Sequence, residues 1–136
     1  MTENTIVVVS DPRFNHWREY HLGVRISHSL IERLHPEIVT DDKAFYRNQL
    51  GELGWSLMDA LHSVPGVVEM CFCTHSFTLY SEENVDWKVL GPRVIDLVKL
   101  VLRIEKLEVE EILYKDISPQ HFHEDDSARP NFVMPQ

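Results

Sequence analysis

The chain has 136 residues, the length of one domain, and 43% of them are hydrophobic and 10% aromatic, so an ordinary core is available without a disulfide or a metal. Thirteen Lys and Arg against 22 Asp and Glu leave a net charge of −9 with the eight His neutral. That balance argues against a nucleic-acid binder, which needs a basic face to displace phosphate counterions, and against docking on an anionic membrane.

Apolar runs are short: Ile6-Val7-Val8-Val9 is typical and falls far below the ~20 residues of a membrane span. The Met-Thr-Glu-Asn start has no basic n-region and no Arg- and Ser-rich amphipathic stretch, so no signal or transit peptide is expected. The only two cysteines, Cys71 and Cys73, are not a disulfide framework. The expected setting is a soluble, reducing, cytoplasmic one.

Thr5–Val9 is β-branched and apolar and reads as a buried strand, followed by a turn at Ser10-Asp11-Pro12. Phe14–Leu22 is aromatic-rich and reads as extended and half-buried. Gly23–Ser27 alternates and reads as a second strand, and Ser29–His35 as a short helical turn stopped by Pro36. Thr40-Asp41-Asp42 caps the clearest helix. Its apolar residues Tyr46, Leu50, Leu53, Leu57, Leu61 and Val64 step by 4, 3, 4, 4 and 3, one helical stripe. Gly51 and Gly54 inside it mark either close packing or a break into two pieces. Pro65-Gly66 ends the helix.

Val67–Thr74 and Phe77–Ser81 read as two strands with a link short enough for a hairpin. Asp86-Trp87 leads into a second helix, regular from about Pro92, with Val94, Leu97, Val98, Val101, Leu102 and Ile104 as its buried face. Val109–Tyr114 reads as a further strand or a helical extension. From Pro119 the chain turns polar and is expected to fray. The order implies an α+β fold, a single antiparallel or mixed sheet covered on one face by two main helices.

Within residues 57–98 the residues also match a pattern. Leu57, Ala60, Leu61, Val64, Gly66 and Val67 fall on L-x-x-A-L-x-x-I-x-G-V, with Val64 in place of Ile. Met70-Cys71-Phe72 and Phe77-Thr78-Leu79 stand where V-F-F and I-T-V strands follow. Asp86, Trp87, Leu90, Pro92 and Val94 fall on D-W-x-x-L-x-P-x-V/I. In these features the chain resembles the N-terminal domain of Nfu-type (NifU-like) iron–sulfur scaffold proteins. The likeness covers 42 of 136 residues, mostly packing and turn positions. The family's T-P-N-P turn is replaced by Ser10-Asp11-Pro12-Arg13, and its cluster-binding Cys-x-x-Cys, carried by a separate domain, has no counterpart here. The resemblance therefore implies a non-enzymatic accessory or binding domain over residues 1–107, linked to iron–sulfur cluster assembly or protein maturation, with that machinery as protein partner. Residues 108–136 form an acidic, partly flexible extension.

Cys71 and Cys73 are the sharpest chemical feature. At i and i+2 on a strand both thiols face one way, and His75 continues the Cys-x-Cys-x-His spacing. Thiolate and imidazole suit Zn, Cu or an iron–sulfur cluster, and a metal- or redox-active thiol protein is the alternative function. The plainer reading makes both cysteines small buried hydrophobes. His21, His28 and His35 recur every seven residues, but Gly23 and the strand pattern after it break any common helix face. His121-x-His123-Glu124-Asp125-Asp126 gathers potential ligands on a polar tail, where a solvated acidic segment is the simpler reading. Phe14, Trp17 and Tyr20, exposed together, would mark a partner-binding patch, whereas packed they cover the open face of the sheet. No nucleophile elbow, phosphate loop or zinc-protease motif is present.

The charge is unevenly spread. Eleven basic and 15 acidic residues precede Glu108, a net of −4, and two basic and seven acidic residues follow from it, a net of −5.

Overall fold

The computed structural model describes residues 4–121. Strands β1 (Thr5–Ser10), β2 (Trp17–Leu22) and β3 (Ile31–Leu34) precede helices α1 (Pro36–Asp41) and α2 (Lys43–His62). Strands β4 (Val67–Phe72) and β5 (Ser76–Ser81), helix α3 (Trp87–Leu102) and strand β6 (Glu108–Leu113) follow, then two single 3-10 turns at Tyr114–Asp116 and Pro119–His121. The strands form one mixed sheet in the order β3-β4-β5-β2-β1-β6. All neighbours are antiparallel except β1 and β6, which run parallel with Thr5 opposite Glu108 and Ser10 opposite Leu113. The α+β reading, a sheet with two main helices on one face, is what the chain adopts.

Period-two alternation sorts the sheet residues. Ile6, Val8, Tyr20, Leu22, Met70, Phe72, Phe77 and Leu79 face the helices. There they meet Leu50, Leu57, Met58 and Leu61 of α2 and Leu90, Val94 and Val98 of α3. Phe77 is stacked between Tyr20 and Phe72, at 4.8 and 5.7 Å between ring centroids. On the other face a smaller apolar cluster forms from Val7, Val9 and Trp17. Phe14, Tyr80, Ile112, Tyr114 and Ile117 pack around it, and the Tyr114 ring meets Trp17 edge-on at 6.3 Å. The first 3-10 turn thus returns under the sheet.

The two helical glycines have different roles. Gly51 takes φ 81° and ψ 174°, breaking α2 into two pieces, where an added Cβ would meet the His28 ring at 2.6 Å. Gly54 lies against the chain after β2: its Cβ would fall 2.5 Å from the Ile26 carbonyl oxygen. Helix α3 starts at Trp87, earlier than Pro92, because the Asp86 side chain accepts a hydrogen bond from the Lys88 amide at 2.9 Å.

Three local expectations are corrected. Residues 23–27 are not a strand: the pairing strand is Trp17–Leu22, whose alternation carries large residues on both faces. Ser29–His35 is not a helical turn: Ile31–Leu34 forms an edge strand against β4. Glu108–Leu113, assigned to the acidic extension, belongs to the sheet as β6, paired along its length with β1. Of the tail cluster, His121 is described: its Nδ1 accepts from the Ser118 amide at 3.0 Å, and its Nε2 lies 3.5 Å from Glu110. His123, Glu124, Asp125 and Asp126 lie outside the described residues, as does the expected fraying beyond His121. Among the described residues no helix is long and apolar enough to cross a membrane.

Candidate functional site

Cys71 falls on the sheet face away from the helices, between Met70 and Phe72, which face them. Register sets Cys71 beside Thr78 and Thr78 beside Glu19, and the Cys73 amide donates to the Ser76 carbonyl while Ser76 pairs with His21. Two polar rows therefore cross β4, β5 and β2. The Glu19 carboxylate and His21 Nε2 are 2.7 Å apart and both are buried. The Ser76 hydroxyl is buried and meets no partner among the described residues. Cys71 and Cys73 are free thiols, 6% and 3% exposed. They lie two strand spacings from β2, roughly 9–10 Å, too far for a direct Cys–His21 dyad. His75 sits in the turn, its Nδ1 3.0 Å from the Thr74 hydroxyl. Among the described residues no three His, Cys, Asp or Glu side chains come close enough to hold a metal ion, so Cys71, Cys73 and His75 do not close around a common point.

The aromatic trio is divided. Trp17 is 2% exposed and packs in the smaller cluster, and Tyr20 is 1% exposed and packs among the helices, on opposite faces of β2. Phe14 is partly buried beside Trp17, with the Arg13 guanidinium 5.5 Å from its ring centroid. The three residues do not form a shared exposed surface, because successive strand positions point to opposite faces.

A different feature stands on the helix side. Beside α3 the β1–β6 edge is left uncovered, and a concavity of about 430 Å³ opens there. Its floor is Val8, Arg18, Tyr20, Val109 and Glu111, and its wall is the first half of α3, including Trp87, Gly91, Pro92 and Ile95. The volume falls within the usual range of small-molecule sites. Trp87 is fixed: its indole N–H donates to the Asn15 carbonyl in the β1–β2 loop. The Arg18 guanidinium lies over the Trp87 ring, 4.4 Å from its centroid, and Nη1 donates to the Trp17 carbonyl at 2.7 Å. Nothing lies within 4 Å of a Cβ added to Gly91, so this position opens onto the groove.

Two cations, Arg18 and Lys88, and two carboxylates, Asp96 and Glu111, line the groove. Burial lowers the Arg18 pKa, and the nearby Tyr20 and Glu111 oppose that shift. No carboxylate among the described residues lies within ion-pair distance of Arg18. Burial raises the Tyr20 phenol far above its ordinary range, so it remains a neutral O–H donor, and its side chain makes no hydrogen bond among the described residues. The sequence reading passed over Arg18 and Glu111. Alternation counted from Trp17 carries the missing signal, since it places Arg18 and Tyr20 together on the face opposite Trp17.

Comparison with known proteins returns no relative: no protein-family model matches the chain, and no curated protein sequence matches it.

Proposed function

We propose that the protein is a non-enzymatic binding module that seats a ligand in the groove beside α3 and serves, in the cytoplasm, as an accessory factor in iron–sulfur cluster assembly or protein maturation. One observation carries the binding half. The Arg18 guanidinium, with N–H groups to spare beyond the one held by the Trp17 carbonyl, and the Tyr20 hydroxyl line an apolar concavity whose aromatic wall is already held in place. Donors placed in advance reduce the ordering cost of binding, which is the design of a receptor site. Among the described residues neither His nor Cys lines the groove, so its chemistry is recognition by donors and apolar contact.

The maturation half rests on the resemblance of residues 57–98 to the Nfu N-terminal domain. Two of the matched residues, Trp87 and Pro92, stand in the groove wall, so the motif and the groove share the start of α3. A strain lacking the protein is expected to show reduced iron–sulfur enzyme activities, restored by the wild-type chain and not by Gly91→Leu, which fills the groove. Normal activities in the deletion strain would remove the maturation link, and full rescue by Gly91→Leu would remove the groove as the working surface.

The alternative, a metal- or redox-active thiol protein, has one support: the spacing of Cys71 and Cys73, two residues apart at the end of β4. Equal, sub-stoichiometric metal in the wild type and in a Cys71→Ser/Cys73→Ser variant would eliminate its metal form.

A further inference from the structure

We infer that the groove beside α3 is a site for a small organic monocarboxylate, its carboxylate held by Arg18 and Tyr20 and its apolar body lying along α3. This inference rests on the groove being the binding site and adds the class of its ligand. Arg18 spends one of its five N–H donors on the Trp17 carbonyl and turns its flat face to Trp87. The rest of a half-buried guanidinium has no counter-charge among the described residues at ion-pair distance. A partly desolvated cation of this kind is a strong pairing site, and the planar fork of Arg matches a carboxylate through two parallel bonds.

Tyr20 supplies the second, independent observation. Its side chain is 1% exposed, lines the groove and makes no hydrogen bond among the described residues. An anionic oxygen seated in the groove beside Arg18 would accept from its hydroxyl. Both donors sit on β2 two residues apart and on the same face, so one acceptor group can take both.

The charge of the ligand follows from what else lines the site. Glu111 on β6 and Asp96 and Lys88 on α3 face the same space, so with Arg18 the lining is formally neutral before a ligand enters. A dianion such as an organic phosphate would leave two uncompensated negative charges beside Asp96 and Glu111, and a monocarboxylate leaves one. Val8, Val109, Pro92 and Ile95 give the rest of the lining an apolar character that suits an aliphatic or aromatic body. The volume of about 430 Å³ suits a compact molecule rather than a polymer.

The test is calorimetric titration of the full chain with three probes of one shape: 3-phenylpropionate, its neutral amide, and 2-phenylethyl phosphate. The expected order is carboxylate first, with the amide and the phosphate each about tenfold weaker or more. Arg18→Gln should weaken the carboxylate about tenfold and leave the amide unchanged, and Arg18→Lys should recover part of the loss. Gly91→Leu should abolish all three while the thermal midpoint stays at or above that of the wild type, which separates blocking from misfolding. Equal binding of carboxylate and amide, or an unchanged preference in Arg18→Gln, would overturn the carboxylate assignment and leave the groove standing. Binding that survives Gly91→Leu, or no binding of any probe at about 10 mM, would overturn the groove itself.

Discussion

The same substitution, Gly to Ala, is expected to have opposite effects at two positions in the helices. At Gly91 in α3 an added Cβ meets nothing within 4 Å, and the residue lies inside a 16-residue helix. Only the backbone term acts there, so Gly91→Ala should stabilise the protein by about 0.5–1 kcal/mol. At Gly54 in α2 the same propensity gain of about 1 kcal/mol is available, but the new Cβ would stand 2.5 Å from the Ile26 carbonyl oxygen and 3.1 Å from Leu50 Cβ. The Ile26 carbonyl is backbone, and the neighbouring Ile26 amide donates to the Thr74 carbonyl at 2.7 Å, tying the segment to the β4–β5 turn. The strain therefore cannot be relieved by a rotamer. Overpacking of this kind costs about 1–3 kcal/mol, and an approach this close belongs at the upper end. The net expectation for Gly54→Ala is a loss of about 1–2 kcal/mol, leaving the two variants about 2–3 kcal/mol apart. Urea unfolding with equal slopes measures this directly, as midpoints displaced to opposite sides of the wild type. A Gly54→Ala protein as stable as the wild type or more so would refute the close approach of α2 to the chain after β2.

Three further outcomes follow from the packing and the titrating groups. Trp17→Ala should cost about 3–5 kcal/mol in thermal or urea unfolding, because Trp17 centres the cluster on the sheet face away from the helices; a cost below about 1 kcal/mol would mean that this face is not a true second core. Burial lowers the His62 pKa from its ordinary 6.5, with the Leu34 backbone and Asp59 opposing and His35 adding to it. The unfolded chain then binds more protons than the folded one below pH 6.5, so stability should fall as pH drops through that value, and His62→Gln should flatten this part of the profile relative to the wild type. Cys71 and Cys73 should react with iodoacetamide only after denaturation; labelling of the native protein at the rate of a free thiol would contradict their burial.

Sequence patterns captured the parts of this fold in which local and tertiary preferences agree. The β-branched run of β1, the hairpin of β4 and β5, and the Tyr46–Val64 stripe stand where the pattern places them, since each buries its apolar set in the way its period demands. The glycine alternatives resolve into one of each kind, a break at Gly51 and a close approach at Gly54, and only tertiary neighbours distinguish them. Phe14–Leu22 reads as extended but only half-buried, because a central strand buried on both faces shows no clean alternation of apolar and polar residues: Glu19 and His21 are polar, yet buried as a pair. Ile31–Leu34 was masked by its length and by an irregular pairing register against β4. The groove was not legible at all. Its floor joins β1, β2 and β6, and its wall comes from α3, so residues about 90 positions apart must meet before it exists.

The position of the groove follows from the width of the sheet. Six strands at about 4.8 Å spacing set the outer strands roughly 24 Å apart, while two packed helices cover roughly 20 Å. The β5-α3-β6 crossover passes over β2 and β1 to reach the far edge, so α3 cannot also lie above that edge. A step remains beside α3, floored by Val8 and Val109 and crossed by the long side chain of Arg18. Trp87 and Arg18 narrow it, the guanidinium lying over the indole ring. A Cβ at position 91 would meet nothing within 4 Å. Glycine there costs the helix about 1 kcal/mol relative to Ala and keeps the cavity open. A helix residue that forgoes propensity beside the Arg18 and Tyr20 donors is best explained by the access it preserves.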